Sequence, residues 1–425
     1  MIKRTLFQEI KKHLEKPEIT LIVGPRQAGK TTLMRQIQDE LNLQAQKTPF
    51  FSLDNDTDRP FFDSQDTLLN TIALQLGQEK GYVFIDEIQR KTDAGLFLKG
   101  LYDRNLPYKF IVSGSGSVEL KEKVHESLAG RKRMFELSTL SFTEFVNHKT
   151  DYRYEDKLGD FFSLMRPQAE RLLEEYLNFG GYPRVILSQT LEEKTAVIAD
   201  IYQSYLEKDI AYLLNIQKTE SLTNLVRLLA SKAGSLINVS ELSSTLGISV
   251  KTINDYLWYL EKTFIIERVT PFFKNIRKEI TKQPTIYFVD LGMKNYAQRQ
   301  FGLAAPNTTS GYLFENFVFL ALKEFLIPPA SLHFWRTQDK AEVDFVIDAG
   351  QNLIPVEVKY TKLVKPEITR SFRSFITKYQ PTQAFVVHRG KHLHQSIDST
   401  EVSFLPFYDV KKAFEASLST LSERT

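Results

Sequence analysis

The chain opens with short, mainly apolar runs separated by stretches in which apolar residues recur every three or four positions. Four runs read as strands buried on both faces: Ile19 to Val23, Phe50 to Leu53, Tyr82 to Ile85 and Phe110 to Ser113. Runs of this kind alternating with helical periods, up to about residue 160, predict a parallel sheet wrapped by helices. After Pro167 the pattern is wholly helical, from Glu170 to Asn178, across a break at Gly180-Gly181-Tyr182-Pro183, and on from Glu193 to Leu214. That stretch predicts a helical lid or connector. From about Ser221 to Thr270 come three helical patterns, the last two joined by Leu246-Gly247-Ile248-Ser249, and then an apolar run from Phe264 to Val269. The order fits a helix-turn-helix followed by a wing. From about Pro284, strands mix with two helices, so the expected division of this α/β chain is 1–165, 166–217, 218–283 and 284–425.

Composition narrows the chemistry. At roughly 150 residues per domain, 425 residues suggest about three domains. Hydrophobic residues at 42% and charged residues at 25% exclude a disordered or fibrous chain. The formal net charge of +3 announces no global attraction to nucleic acid, so any basic surface must be local. With no Cys, thiolate zinc sites and cysteine nucleophiles are excluded, leaving oxygen, nitrogen and bound metal. No stretch approaches ~18 uninterrupted apolar residues, and the amphipathic N-terminus broken by Glu9, Lys11 and Lys12 lacks a signal-peptide core. A cytoplasmic protein with no membrane partner is the expectation.

The segment Gly24-Pro25-Arg26-Gln27-Ala28-Gly29-Lys30-Thr31 satisfies G-x-x-x-x-G-K-[ST]. It follows an apolar run and opens a helical pattern at Thr32, the context a phosphate cradle requires. Lys30 is expected to reach the β/γ-phosphates of ATP and Thr31 to ligate Mg²⁺. Asp86 and Glu87 end the run Tyr82 to Ile85, where Asp86 would hold Mg²⁺ and Glu87 would orient the attacking water. A third run ends in Ser113-Gly114-Ser115-Gly116-Ser117, which would set a hydroxyl between the carboxylates and the γ-phosphate. Arg131, within Ala129-Gly130-Arg131-Lys132-Arg133, is a candidate for neutralising transition-state charge, in cis or from a neighbouring subunit; a basic surface loop is the alternative.

In the middle region, Asn238 or Ser240 can cap a short helix, and the next pattern, Val250 to Leu260, keeps Ile253, Tyr256, Leu257 and Leu260 on one face. Lys251, Thr252 and Asn254 would then point outward toward phosphates or base edges, and Lys274, Arg277, Lys278 and Lys282 would form a basic wing. A winged helix used only for protein packing is the alternative.

Near the C-terminus, Glu342 and Asp344 alternate with Val343, Phe345 and Ile347, placing both acids on one strand face. If Ala349-Gly350 is a two-residue turn, Glu342 faces Glu357 and Asp344 faces Pro355, so Asp344, Glu357 and Lys359 share a face and the two acids are diagonal neighbours. Two carboxylates holding Mg²⁺ or Mn²⁺ beside a lysine suit metal-assisted phosphodiester hydrolysis; an exposed hairpin with complementary charges is the alternative. Glu315 can add an outer metal ligand, and Trp335-Arg336 could stack or pair with nucleic acid.

With these residues in place, the chain resembles, over nearly its whole length, a prokaryotic family of AAA-type ATPases. In that family the C-terminal half carries a winged helix and a restriction-endonuclease-like region. The resemblance rests on Gly24 to Thr32, Phe84 to Gln89, Gly114-Ser115, Leu128 to Arg131, Leu140 to Phe145, Gly180 to Pro183, Tyr205 to Asp209, and Tyr287 to Asp290 with Gly292. Farther on, Phe314-Glu315-Asn316, Glu342 to Phe345 and Val356 to Lys359 resemble the E…D…ExK pattern of such nucleases. The resemblance implies the fold, ATP use and a homo-oligomer. Together with the residues read above, the leading expectation is that ATP hydrolysis with Mg²⁺ is coupled to binding DNA and cutting it at the nuclease site with Mg²⁺ or Mn²⁺. The competing expectation is an ATP-controlled switch whose nuclease-like domain only binds.

Overall fold

A computed structural model describes residues 2–77, 79–115, 128–205, 220–273, 282–302, 309–350 and 352–414. Gly116, Ser117, the stretch Leu206 to Asp209, and Lys274, Arg277 and Lys278 lie outside the described residues, as does the side chain of Ser115.

The four apolar runs form β1 (Ile19–Gly24), β2 (Phe50–Ser52), β3 (Gly81–Asp86) and β4 (Tyr108–Ser115), joined by a fifth strand, β5 (Lys132–Glu136). Their order is β2-β3-β4-β1-β5, with every neighbouring pair parallel. Alternate side chains feed two cores: Leu21, Val83, Ile85 and Val112 face the helices Gln65–Leu76 and Ala94–Asp103, while Ile22, Phe84 and Ile111 face the helix Lys30–Leu43. The chain leaves β1 for the far edge of the sheet and later returns to its other side as β5. This puts the carboxyl end of β1 at the switch point where open α/β sheets bind ligands.

The helices Arg166–Phe179, Pro183–Leu187 and Leu191–Gln203 follow, then Glu220–Ser231, Val239–Leu246 and Val250–Lys262. Asn238 and Ser249 cap the last two through backbone N–H groups of Ser240, Glu241 and Thr252. Next, β6 (Ile266–Val269) pairs antiparallel with β7 (Thr285–Phe288), and Thr285 also bridges Leu236. The boundary expected between 283 and 284 therefore falls inside one ladder.

The last sheet runs β12-β13-β11-β10-β9-β8, from β8 (Ser331–Arg336), β9 (Glu342–Asp348), β10 (Leu353–Lys359), β11 (Gln383–His388), β12 (Leu393–Ile397) and β13 (Thr400–Pro406). The helix Thr309–Lys323 packs against Phe345, Ile347 and Val356, and the helix Arg370–Tyr379 against Val343, Val346 and Val386. The first of these cores also takes in Phe142, Phe145, Phe162 and Tyr176, with Phe142 and Phe317 rings 5.3 Å apart. The end of the expected first domain thus shares a core with the last. Among the described residues, no helix is long and apolar enough to cross a membrane.

Asp290 ties these units together. Its carboxylate accepts from the Gly181 and Met293 N–H groups at 2.7 and 2.9 Å, and also from Gly292 N–H and the Thr139 hydroxyl. A Cβ on Gly181 would lie 2.3 Å from the Leu140 carbonyl oxygen, and one on Gly292 would lie 2.2 Å from that of Phe179. Burial pushes the Asp290 carboxyl from 3.8 up to about 6, against the pull of these donors. A folded-state pKa raised in this way contributes stability that is complete below the unfolded value and lost as pH rises through about 6, a span of at most about 3 kcal/mol. Thermal melts should therefore show Asp290→Asn, which does not titrate, well below wild type at pH 5 and by a smaller margin at pH 7. A margin independent of pH would contradict this assignment.

Candidate functional site

The loop leaving β1 turns through left-handed backbone at Gln27 (φ 57°) and Gly29 (φ 99°) and enters the helix that starts at Lys30. Such a turn aims successive N–H groups into one concavity, which the helix dipole makes favourable for an anion. Lys30 is buried, and its Nζ donates to the Gly24 and Pro25 carbonyls at 3.1 and 2.8 Å, curled along the cradle it is expected to serve. Thr31 Oγ1 donates to Asp86 Oδ2 at 2.7 Å, and the Ser113 hydroxyl donates to Asp86 Oδ1. The structure thus brings Lys30, Thr31, Asp86 and Ser113 together. A hydroxyl and a carboxylate side by side at the mouth of a phosphate loop are the donor set Mg²⁺ uses with a nucleotide. Ser113 Oγ also accepts the Glu87 N–H at 3.4 Å, so it bridges the two acidic positions. Glu87 itself sits at φ 57°, and its Oε2 accepts from Gln89 Nε2.

Arg131 is not brought to this site. It immediately precedes β5, beside the start of β1, where its carbonyl accepts the Ile19 N–H at 2.9 Å and its Nε contacts Asp103 at 2.6 Å. A six-residue strand puts about 20 Å between that end and the P-loop, so the expected role in cis is corrected. Two other arginines do reach the loop. Arg184 Nη1 donates to Gln27 Oε1 at 3.0 Å and to Asp200 Oδ2 at 3.4 Å. Arg4 Nη1 donates to the Ala28 carbonyl at 2.9 Å while its Nε pairs with Glu144 at 3.1 Å. Neither carries a motif; the position of Arg184 directly after Gly180 to Pro183 was the available signal.

The second cluster also forms, with a different register. Four positions, not two, separate β9 from β10, and the Ala349 N–H donates to the Asn352 carbonyl at 3.0 Å. Pairing therefore runs Asp348↔Leu353 to Phe345↔Val356, two residues from the expected Asp344 opposite Pro355. A shift of two leaves side chains on the expected face, so the error cost the pairing and spared the parity on β10. Carried one step further, the register sets Asp344 opposite Glu357. The ladder stops there because Asp344 Oδ2 itself takes the Val358 N–H at 2.6 Å. Parity does fail on β9: Phe334 of β8 faces both Asp344 and Phe345, since His333 pairs with Val346 and Trp335 with Val343. Such a bulge re-aims a side chain, and it falls on the candidate acid.

Glu357 is buried; its Oε1 accepts from Lys359 Nζ at 2.8 Å and Thr369 Oγ1 at 3.2 Å, and its Oε2 has no hydrogen-bond partner among the described residues. Glu315, on the helix Thr309–Lys323, accepts the Tyr287 hydroxyl at 2.6 Å. Burial, then the neighbouring carboxylates of Glu342 and Glu357, push Glu315 up to about 8; burial, then Glu315 and Glu357, raise Asp344 well above the usual range. Burial also raises Glu342, although its partner Arg336 stands 3.3 Å away. Among the described residues no group of three or more His, Asp or Glu is arranged to hold a metal ion. Two carboxylates suffice for Mg²⁺, which fills its remaining positions with water and phosphate oxygens, and the orphaned oxygen of Glu357 fits a cation.

Trp335 is no stacking platform. It is buried, edge-on to Phe375 at 5.3 Å, and its Nε1 donates to the Tyr379 hydroxyl at 3.2 Å. In the middle region Lys251 and Asn254 are exposed, while Thr252 is occupied with the Ser249 cap, its Oγ1 2.8 Å from Ser249 Oγ.

Three stretches match family models: residues 16–146 an AAA domain, 170–304 a domain of unknown function (DUF8612), and 310–408 another (DUF4143). Uncharacterized protein Rv2008c of Mycobacterium tuberculosis is 29% identical over 398 residues, covering 92% of this chain and 80% of that protein. An uncharacterized protein of Haemophilus influenzae is 25% identical over 399 residues, covering 91% and 93%. The structure of AMPPCP-bound DnaA from Aquifex aeolicus is similar with 14% identity over 61% of this chain and 88% of that chain, at a TM-score of 0.28. The parallel sheet, the phosphate loop with its carboxylates and the matched model agree: residues 16–146 are an AAA-type P-loop ATPase domain.

Proposed function

We propose that the chain hydrolyses ATP at the β1 loop and couples this to binding DNA and cleaving a phosphodiester bond at the β9–β10 cluster. The observation that carries the second activity is the buried Oε2 of Glu357, without a hydrogen-bond partner among the described residues, beside Asp344 and Lys359. An unpaired buried carboxylate oxygen is costly, and a divalent cation relieves it. Asp344 and Glu357 would hold Mg²⁺ or Mn²⁺, with Glu315 reaching it through water. When bound, the cation would polarise a phosphate oxygen and lower the pKa of water. Lys359 would orient the attacking water from its place on Glu357. In the ATPase half, Thr31 and Asp86 would hold Mg²⁺, Lys30 the phosphates and Glu87 the attacking water. Arg184 is the guanidinium on hand in cis; Arg131 would act only from a neighbouring copy in a homo-oligomer. The middle helices and the β6–β7 ladder would serve as a winged helix that presents DNA.

A second reading has its own support: Glu357 Oε1 is taken by Lys359 and Thr369, and Asp344 Oδ2 by a backbone N–H, as in a hairpin built to be stable. On that reading the chain is an ATP-controlled switch that binds without cutting.

ATP turnover by Glu87→Gln should fall about 100-fold or more with nucleotide binding retained, whereas Lys30→Ala should lose nucleotide binding. Turnover intact in Lys30→Ala would remove the phosphate-site assignment. Linear, plasmid and branched DNA incubated with the protein in Mg²⁺ or Mn²⁺ should be cut by wild type and left whole by Asp344→Ala. DNA binding without cutting under every metal and nucleotide condition would leave the switch.

A further inference from the structure

The helix Arg370–Tyr379 starts at the acidic cluster. Thr369, its cap, accepts the Phe372 N–H at 3.1 Å and donates through the same hydroxyl to Glu357 at 3.2 Å. Phe372, Phe375 and Ile376 bury one face in the sheet core. The opposite face carries Arg370, Arg373, Ser374, Thr377 and Lys378, all exposed and lining a shallow depression of about 460 Å³. The helix holds three cations and no acid, and none of the three has a carboxylate partner among the described residues. The expected recognition helix, Val250–Lys262, is neutral, with Lys251 and Lys262 against Asp255 and Glu261.

Resting on the cleavage reading above, we propose that the Arg370–Lys378 stripe is the track that binds the phosphodiester backbone of duplex DNA and leads it to Asp344 and Glu357. Arginines are the side chains best matched to phosphate oxygens, and the Ser374 and Thr377 hydroxyls add donors between them. From Arg370 to Lys378 the helix rises about 12 Å, the axial run of three to four phosphates of one strand at about 3.4 Å each. The geometry assigns backbone affinity to this helix, and leaves positions such as Lys251 and Asn254 for contacts of lesser charge.

The test is the salt dependence of full-length protein binding a labelled linear duplex, with divalent ions omitted so that nothing is cut. Replacing the stripe (Arg370→Gln, Arg373→Gln, Lys378→Gln) should flatten the slope of log affinity against log salt by about 2 to 3. ATP turnover, which uses none of these residues, should be unchanged and reports folding. Lys251→Gln should change the slope by at most about 1. A slope unmoved by the triple variant, or flattened more by Lys251→Gln, overturns the proposal, as does capture by anionic lipid vesicles with no duplex binding. Stripe-dependent binding without cleavage by wild type keeps the track and removes the nuclease; cleavage undiminished in the triple variant does the reverse.

Discussion

Backbone from three distant parts of the chain meets at Asp290 with no space for a side chain between the strands of contact. Gly181 lies against Leu140, Gly292 lies against Phe179, and one carboxylate gathers the N–H groups both leave over. Leu140 continues the chain that leaves the ATPase sheet at β5, and its N–H and carbonyl are held by the Gly181 carbonyl and the Tyr176 hydroxyl, each at 2.7 Å. The edge of the ATPase domain therefore cannot move against the helix Arg166–Phe179, or that helix against the segment after β7, without exposing buried polar groups. Each such group costs about 1–3 kcal/mol when left unmade.

From that junction a continuous set of contacts reaches both sites. Toward the nucleotide, Arg184 stands just beyond the junction glycines and bonds both Gln27 of the phosphate loop and Asp200 of the helix Leu191–Gln203. That helix packs through Ile198, Ile201 and Tyr202 into the core containing Met293 and Ala297. Toward the acidic cluster, Tyr287 lies three residues before Asp290 and holds the Glu315 carboxylate. The phosphate loop and the acidic cluster thus share one buried scaffold, and one carboxylate of that cluster, Glu315, is oriented from the same strand, β7, that feeds the junction.

What the sequence showed of this follows from the range of the forces involved. Parallel strands buried on both faces read as mainly apolar runs, so β1 to β4 were legible; β5, an edge strand reading Lys-Arg-Met-Phe-Glu, was not. The phosphate loop was legible because its chemistry is local. Face parity on β10 survived a wrong turn length because faces repeat every two residues, whereas the bulge at Asp344 depends on β8 and leaves no local mark. Arg4 and Arg184 act on residues 24 and 157 positions away, beyond any spacing rule. Trp335 looked like a stacking surface because an aromatic beside an arginine reads the same in a core and at an interface; burial decides between them.

Charge distribution carries the remaining argument. A net charge of +3 over 425 residues looks uninformative, yet the ten residues of the helix Arg370–Tyr379 carry three cations and no acid. Mutual repulsion there, and at its foot the burial of Glu315 and Asp344 next to further carboxylates, both oppose folding. A sheet that needed only to be stable would gain by replacing the buried acids with an apolar pair, often by 1–4 kcal/mol in comparable cases. It would also gain by alternating signs along the helix. Placed end to end and joined by the Thr369 hydroxyl, the two features would be complementary under the proposed function: cations for the phosphates along a strand, and carboxylates for the cation that cutting one of them would require.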